Sequence, residues 1–166
     1  MRRIILITGG QRSGKSAYAE RLALSLAKNP VYIATAHIWD AEFAKRVRIH
    51  QERRGPEWTN IEEEKFLSRH DVNGRVVLID CCTLWLTNFF AEDINTAIDR
   101  LEEEFDRFIA QNATFIFVTS EIGLGGISGN AGQRRFTDQL GSFNQKVAAI
   151  ADTVTLLISG IPVTIK

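Results

Sequence analysis

The chain has 166 residues with 20 Lys+Arg against 20 Asp+Glu, and 45% of it is hydrophobic. That balance suits one globular domain spanning 1–166 with a substantial core, and it argues against a protein held on nucleic acid by bulk positive charge. No run of about 18 uncharged apolar residues is present, so no membrane span is expected, and the adjacent Cys81 and Cys82 fit reduced thiols of a cytoplasmic protein better than a disulfide or a zinc site.

In chain order, RIILIT (3–8) reads as a short β-branched strand. The apolar run after MRR is too short for a secretory leader, and no small-residue cleavage site follows it. Residues 14–28 have helical spacing, with Ala19, Leu22, Ala23 and Leu26 on one face. VYIAT (31–35) is a second strand. Asp40 can cap a helix running to about Arg54 and stopped by Gly55-Pro56. A shorter helix is expected over 61–69 and a strand at RVVLID (75–80). Helices are expected over 83–91 and 93–111, the latter with Glu103 and Arg107 as an i,i+4 pair. TFIFVT (114–119) is a fourth strand. A helix follows over 131–150, its start expected to be delayed by Gly132, and TVTLLIS (153–159) and PVTIK (162–166) form a final hairpin about Gly160. Alternating strands and helices predict an α/β fold, a mostly parallel sheet with helices on both faces. Ligands in such sheets gather at the carboxyl ends of the strands, here at Thr8-Gly9, Thr35-Ala36, Asp80-Cys81 and Thr119-Ser120.

The first strand runs into GGQRSGKS: Gly9, Gly10, Gln11, Arg12, Ser13, Gly14, Lys15 and Ser16. This satisfies the P-loop pattern G-x-x-x-x-G-K-[ST] in the strand–loop–helix setting that the motif requires. Glycines let the backbone N–H groups curl around a phosphate chain, and the following helix adds its positive end. Lys15 would reach the β- and γ-phosphates, and the Ser16 hydroxyl would face Mg²⁺. Asp80, at the end of the third predicted strand, is the acid expected to hold Mg²⁺ directly or through water; the alternative is a strand-end cap of the next helix. A GTPase switch does not fit. NQKV (144–147) lacks the aspartate of a base-recognition motif, and Asp80 is followed by Cys-Cys-Thr. A small-molecule kinase and a nucleotidyltransferase both remain open.

The segment RVRIHQERRG (46–55) places His50 among Arg46, Arg48, Arg53 and Arg54. On a helix, Arg46, His50 and Arg53/Arg54 share one face. Forked guanidinium groups clamp phosphate, and their charge disfavours a protonated imidazole, leaving the nucleophilic form. The same spacing also describes an ordinary solvated basic face.

Taken together, GGQRSGKS, YIATA (32–36), D-x-E-x-x-x-R-V ending at His50, Trp58 with Glu62, DCCTLWLTN (80–88), VTSEIGLG (118–125), FNQKVAAIAD (143–152) and SGIPVTIK resemble the bifunctional adenosylcobinamide kinase/adenosylcobinamide-phosphate guanylyltransferase family of cobalamin biosynthesis. The resemblance covers nearly the whole chain. It implies a P-loop, RecA-like sheet with an antiparallel C-terminal strand, and a homotrimer. It implies phosphorylation of the aminopropanol hydroxyl of adenosylcobinamide by ATP or GTP, then transfer of GMP from GTP through a GMP-histidine intermediate. The matching histidine is His50. The implied GTP site comprises Gly9 to Ser16, Ala34, Thr35, Ala36, Gln51, Glu52, Arg53, Arg54, Glu62 and Asp80. An acid such as Glu62 can accept from the N–H edge of guanine.

The segment 119–142 departs from the family's usual T-N-E-V-G and the arginine-rich stretch after it. Ser120, Ser128, Gly129, Ala131, Thr137 and Ser142 stand at the altered positions, while Asn130, Arg134, Phe136 and Asp138 remain. That change raises a single-activity kinase or guanylyltransferase as an alternative. A RecA-like nucleotide-binding module whose basic helix contacts another macromolecule is a further one.

Overall fold

The computed structural model describes residues 1–38, 40–41, 44–45, 48, 52 and 54–166. Among them, seven strands form one sheet: β1 (Arg3–Gly9), β2 (Val31–Ala34), β3 (Thr59–Glu62), β4 (Val76–Asp80), β5 (Thr114–Val118), β6 (Thr153–Ile158) and β7 (Ile161–Thr164). Their order is β3-β2-β4-β5-β1-β6-β7. Every pairing is parallel except β6 with β7, in agreement with the fold class expected from the sequence. Four helices have their bounds among the described residues: α1 (Lys15–Leu26), α2 (Cys82–Phe90), α3 (Ala97–Phe108) and α4 (Ala131–Ile150).

Alternation along the strands divides the core. On β1, Ile4 and Leu6 join one cluster with Trp85, Phe89, Phe105, Phe108, Phe143 and Val147 of α2, α3 and α4. Ile5 and Ile7 join the other, with Ala19 and Ala23 of α1. Phe105 meets Phe143 edge-on, with ring centroids 5.3 Å apart, an arrangement worth roughly 0.5–1.5 kcal/mol beyond area burial. α1 therefore covers one face and α2–α4 the other, while the carboxyl ends of β1, β2, β4 and β5 share one edge of the sheet.

Three expectations are corrected. The segment 61–69 is not a helix: Thr59–Glu62 is β3 and only Leu67–Arg69 makes a 3₁₀ turn. The free edge of β2 captures β3, with Thr59 N–H donating to the Pro30 carbonyl and Glu63 N–H to that of Ala34. The helix expected over 93–111 is shorter because the Asp93 carboxylate accepts from Asn95 N–H and the Thr96 hydroxyl, turning the chain before α3 begins. Gly132 does not delay α4, since the Asn130 side chain accepts from Gln133 N–H at 2.9 Å and caps the helix at Ala131. The Glu103–Arg107 pair forms at 3.1 Å. Of the helix expected over 40–54, Ala41, Ala44, Lys45, Arg48 and Glu52 are helical and Arg54 is not.

Candidate active site

The P-loop leaves β1 through backbone that only glycine enters easily. Gly9 has φ +153°, and a Cβ there would lie 2.5 Å from the Leu157 carbonyl oxygen and 2.8 Å from Ser13 Oγ. Gly14 has φ +92° and caps α1, and Arg12 also has positive φ. The loop leans on the β6–β7 turn, where Gly160 N–H donates to the Ser13 carbonyl at 2.9 Å. Within the loop, Lys15 Nζ donates to the Gly10 carbonyl at 2.6 Å. Burial lowers the Lys15 pKa below the ordinary lysine value, while Cys81 and Asp80 pull it upward. Lys15 and Asp80 thus feel one another across the edge, although their strands are separated by β5.

Asp80 ends β4. One carboxylate oxygen accepts from the Tyr32 hydroxyl at 2.8 Å. Tyr32 is buried, and the Arg54 guanidinium stacks on its ring at 3.6 Å while Arg54 Nε donates to Asn60 at 2.8 Å. Thr35, fully buried, fastens β2 to the chain after Asp80: its hydroxyl donates to the Cys81 carbonyl at 2.8 Å and accepts from Cys81 N–H at 3.0 Å. Asn88 of α2 donates to the carbonyls of Thr35 and Glu64. Cys81 and Cys82 are free. Burial pushes the Cys81 thiol up to about 11 and Cys82 well above its usual value, so neither is a ready thiolate at neutral pH.

A cavity of about 340 Å³ opens at the ends of β2 and β3. It gathers Ala34, Ala36 and Glu62, named from the sequence, with His37, Glu63 and Glu64, which sequence reasoning missed. His37 Nδ1 lies 2.7 Å from Glu64 Oε1. The residues named from the sequence therefore form two groups on one edge: the P-loop with Asp80, and the β2–β3 cavity. Glu52 is exposed. His50, Gln51 and Arg53 lie outside the described residues, as does Arg46.

Residues 5–165 match the family described as cobinamide kinase / cobinamide phosphate guanyltransferase. The chain belongs to that family. It is 37% identical over 166 residues to the bifunctional adenosylcobalamin biosynthesis protein CobP of Pseudomonas aeruginosa, covering 97% of this chain and 96% of that protein. It is 35% identical to the bifunctional adenosylcobalamin biosynthesis protein CobU of Escherichia coli, covering 98% and 99%. A solved KaiC-like protein of Pyrococcus horikoshii aligns with 93% of this chain and 71% of its own at 12% identity and a TM-score of 0.47. Members of the family are enzymes with kinase and guanyltransferase chemistry, which requires a triphosphate site of the kind the P-loop provides.

Proposed function

We propose that this chain phosphorylates adenosylcobinamide with ATP or GTP and then transfers GMP from GTP to the new phosphate, giving adenosylcobinamide-GDP. The observation that carries the reading is the P-loop at the carboxyl end of β1, with Gly9 and Gly14 at positive φ and Lys15 opening α1, in a chain of this family. Gly9 to Ser16 take the phosphates. Ala34, Ala36 and Glu62 serve the nucleoside end, with Glu62 accepting from guanine, and Thr35, buried behind them, braces β2 against Cys81. Three strand steps separate β1 from β2, roughly 14 Å at about 4.8 Å each, a span within the length of an extended nucleoside triphosphate. Gln51, Glu52, Arg53 and Arg54 complete the set proposed for GTP.

The donor set fits Mg²⁺. The Ser16 hydroxyl and the Asp80 carboxylate are hard oxygen ligands, and the Tyr32 hydrogen bond engages only one Asp80 oxygen. Among the described residues no cluster of three or more His, Cys, Asp or Glu could hold a metal. An ion held by the Ser16 and Asp80 oxygens would complete its shell with phosphate oxygens and water. When bound, Mg²⁺ would neutralise charge on the phosphates.

In the second reaction His50 attacks the α-phosphorus of GTP, the bond to the bridging oxygen breaks, and pyrophosphate leaves. The phosphate of the cobinamide then displaces the histidine. Dividing the transfer avoids bringing two polyanions together in one step. The protein acts as a homotrimer in the cytoplasm. The apolar side chains exposed along β7 support self-association, the free cysteines support a reducing compartment, and among the described residues no helix is long and apolar enough to cross a membrane.

The test uses GTP labelled at the α-phosphate with Mg²⁺. Acid-labile label should stay on the denatured protein and vanish in His50→Ala, with GTP binding retained. Label persisting in that variant removes His50 as the nucleophile. Labelling without cobinamide phosphorylation would favour the single-activity alternative raised by the 119–142 segment.

A further inference from the structure

Glu121 follows β5 by three residues. Val118, the last residue of β5, is in register with Ile7 of β1 on one side and Asp80 of β4 on the other. Glu121 therefore stands on the carboxyl edge between the P-loop and the proposed metal ligand. Its placement is fixed from several directions. Its N–H donates to the Gly9 carbonyl at 3.1 Å, and its Oε1 accepts from the Thr8 hydroxyl at 2.7 Å. Asn144 Nδ2 of α4 approaches the same oxygen at 3.5 Å and donates to the Ser120 carbonyl at 3.2 Å. Asn144 Oδ1 accepts from the Thr119 hydroxyl at 2.7 Å. Thr8, Thr119 and Asn144 are all buried. Two buried polar side chains, Thr8 of β1 and Asn144 of α4, thus meet one carboxylate at Oε1, and Thr119 at the β5 exit holds Asn144 in place. A cleft of about 120 Å³ opens beside it, lined by Ser120, Ile122, Gly123, Thr137 and Gly141 among others.

A satisfied buried network of this kind holds a side chain in one geometry. That is what a carboxylate needs to take a proton from a hydroxyl attacking a phosphate bound in the adjacent loop. We propose that Glu121 is the general base of the kinase step. The acceptor alcohol oxygen attacks the γ-phosphorus, the new P–O bond forms, and the bond from the γ-phosphorus to the β–γ bridging oxygen breaks. The nucleoside diphosphate leaves with that electron pair. The alcohol proton passes to Glu121 Oε2 and then to solvent. The inference rests on the reading of the P-loop as the γ-phosphate site. It also separates the two reactions. A neutral imidazole nitrogen and a phosphate oxyanion attack without a proton on the attacking atom, so guanylyl transfer does not use this base.

The two half-reactions are measured separately, with γ-labelled ATP and cobinamide for one, and GTP with pre-formed cobinamide phosphate for the other. Glu121→Gln should lower the kinase kcat by about 100-fold or more, leave KM for ATP within about threefold, and retain guanylyl transfer within about threefold. Equal losses in both reactions, or an unchanged kinase rate, overturn the proposal. Thr8→Val keeps the shape and removes the hydroxyl that aims Oε1. It should lower the kinase kcat about tenfold with guanylyl transfer retained, and Thr8→Ser should restore it; a full kinase rate in Thr8→Val also overturns the proposal. Lys15→Ala tests the underlying site by itself, because kinase turnover surviving in that variant refutes the P-loop assignment whatever Glu121 does.

Discussion

Tyr32 and Asp80 are 48 positions apart, yet their side chains meet at 2.8 Å at the edge where the phosphates are proposed to bind. Burial, reinforced by the Asp80 charge, pushes the Tyr32 hydroxyl far above its ordinary pKa, so it is a donor throughout any working pH range. Tyr32→Phe should cost about 1.5–3 kcal/mol, the range for a hydrogen bond to a charged group, read by denaturant unfolding. It should also raise the Mg²⁺ concentration for half-maximal kinase activity severalfold; an unchanged Mg²⁺ dependence would mean that the Tyr32 hydrogen bond does not orient Asp80 for the ion. Lys15 carries a pH consequence. Burial lowers its pKa in the free protein, and bound phosphates favour its charged form, so nucleotide binding raises that pKa. Affinity is then full below the free-state pKa and falls as pH rises through it, by up to about tenfold per pH unit until the bound-state pKa is reached. The loss begins at a lower pH than for an ordinary lysine. Titration calorimetry in two buffers of different ionisation enthalpy should detect proton uptake on binding in that window, and its absence would rule out the coupling.

At the scale of elements, the P-loop depends on which of its glycines meets a neighbour. Gly9 is pressed against the Leu157 carbonyl of β6, whereas a Cβ at Gly10 would meet nothing within 4 Å. Gly9→Ala should therefore destabilise the protein by about 1–3 kcal/mol and weaken nucleotide binding at least tenfold. Gly10→Ala should stay within about 0.5 kcal/mol of the parent, so equal effects in thermal unfolding and nucleotide titration would contradict this account of the loop. The motif was legible in the sequence because its signals are local: glycines, a lysine and a serine at fixed spacing after an apolar strand. β3 was not. TNIE offers one large apolar side chain, Ile61, followed by acids, and its burial alternates only between half-buried and exposed. Its strand state comes from the edge of β2, 28 residues upstream, not from its own pattern. The Thr8–Glu121 contact escaped for a related reason, since it joins residues 113 positions apart and no periodicity links them. The role assigned to His50 came from family resemblance, because its spacing among arginines describes a solvated helix face equally well.

At the scale of the molecule, the sheet has two unequal edges. β3 presents Thr59, Asn60 and Glu62 around one isoleucine. β7 is short, contains Pro162, and exposes Ile161 and Val163; Ile165 just beyond it and Ile158 on β6 are exposed as well. Proline suits a strand with no further hydrogen-bonding neighbour, and alternation puts Ile161, Val163 and Ile165 on one side. An apolar strip on an edge strand favours association, and zero net charge puts no long-range repulsion in its way. In the proposed trimer this strip is the contact. Light scattering should then give about three times 18.7 kDa, and Val163→Lys should give the monomer mass. Because Gly160 in the adjoining turn donates to the Ser13 carbonyl of the P-loop, disturbing β7 should also weaken nucleotide binding. A parent protein of monomer mass would reject the trimer. A trimer that survives Val163→Lys would move the contact to another face, and a monomeric Val163→Lys with parental nucleotide affinity would show that the β6–β7 turn supports the loop without help from a neighbouring copy.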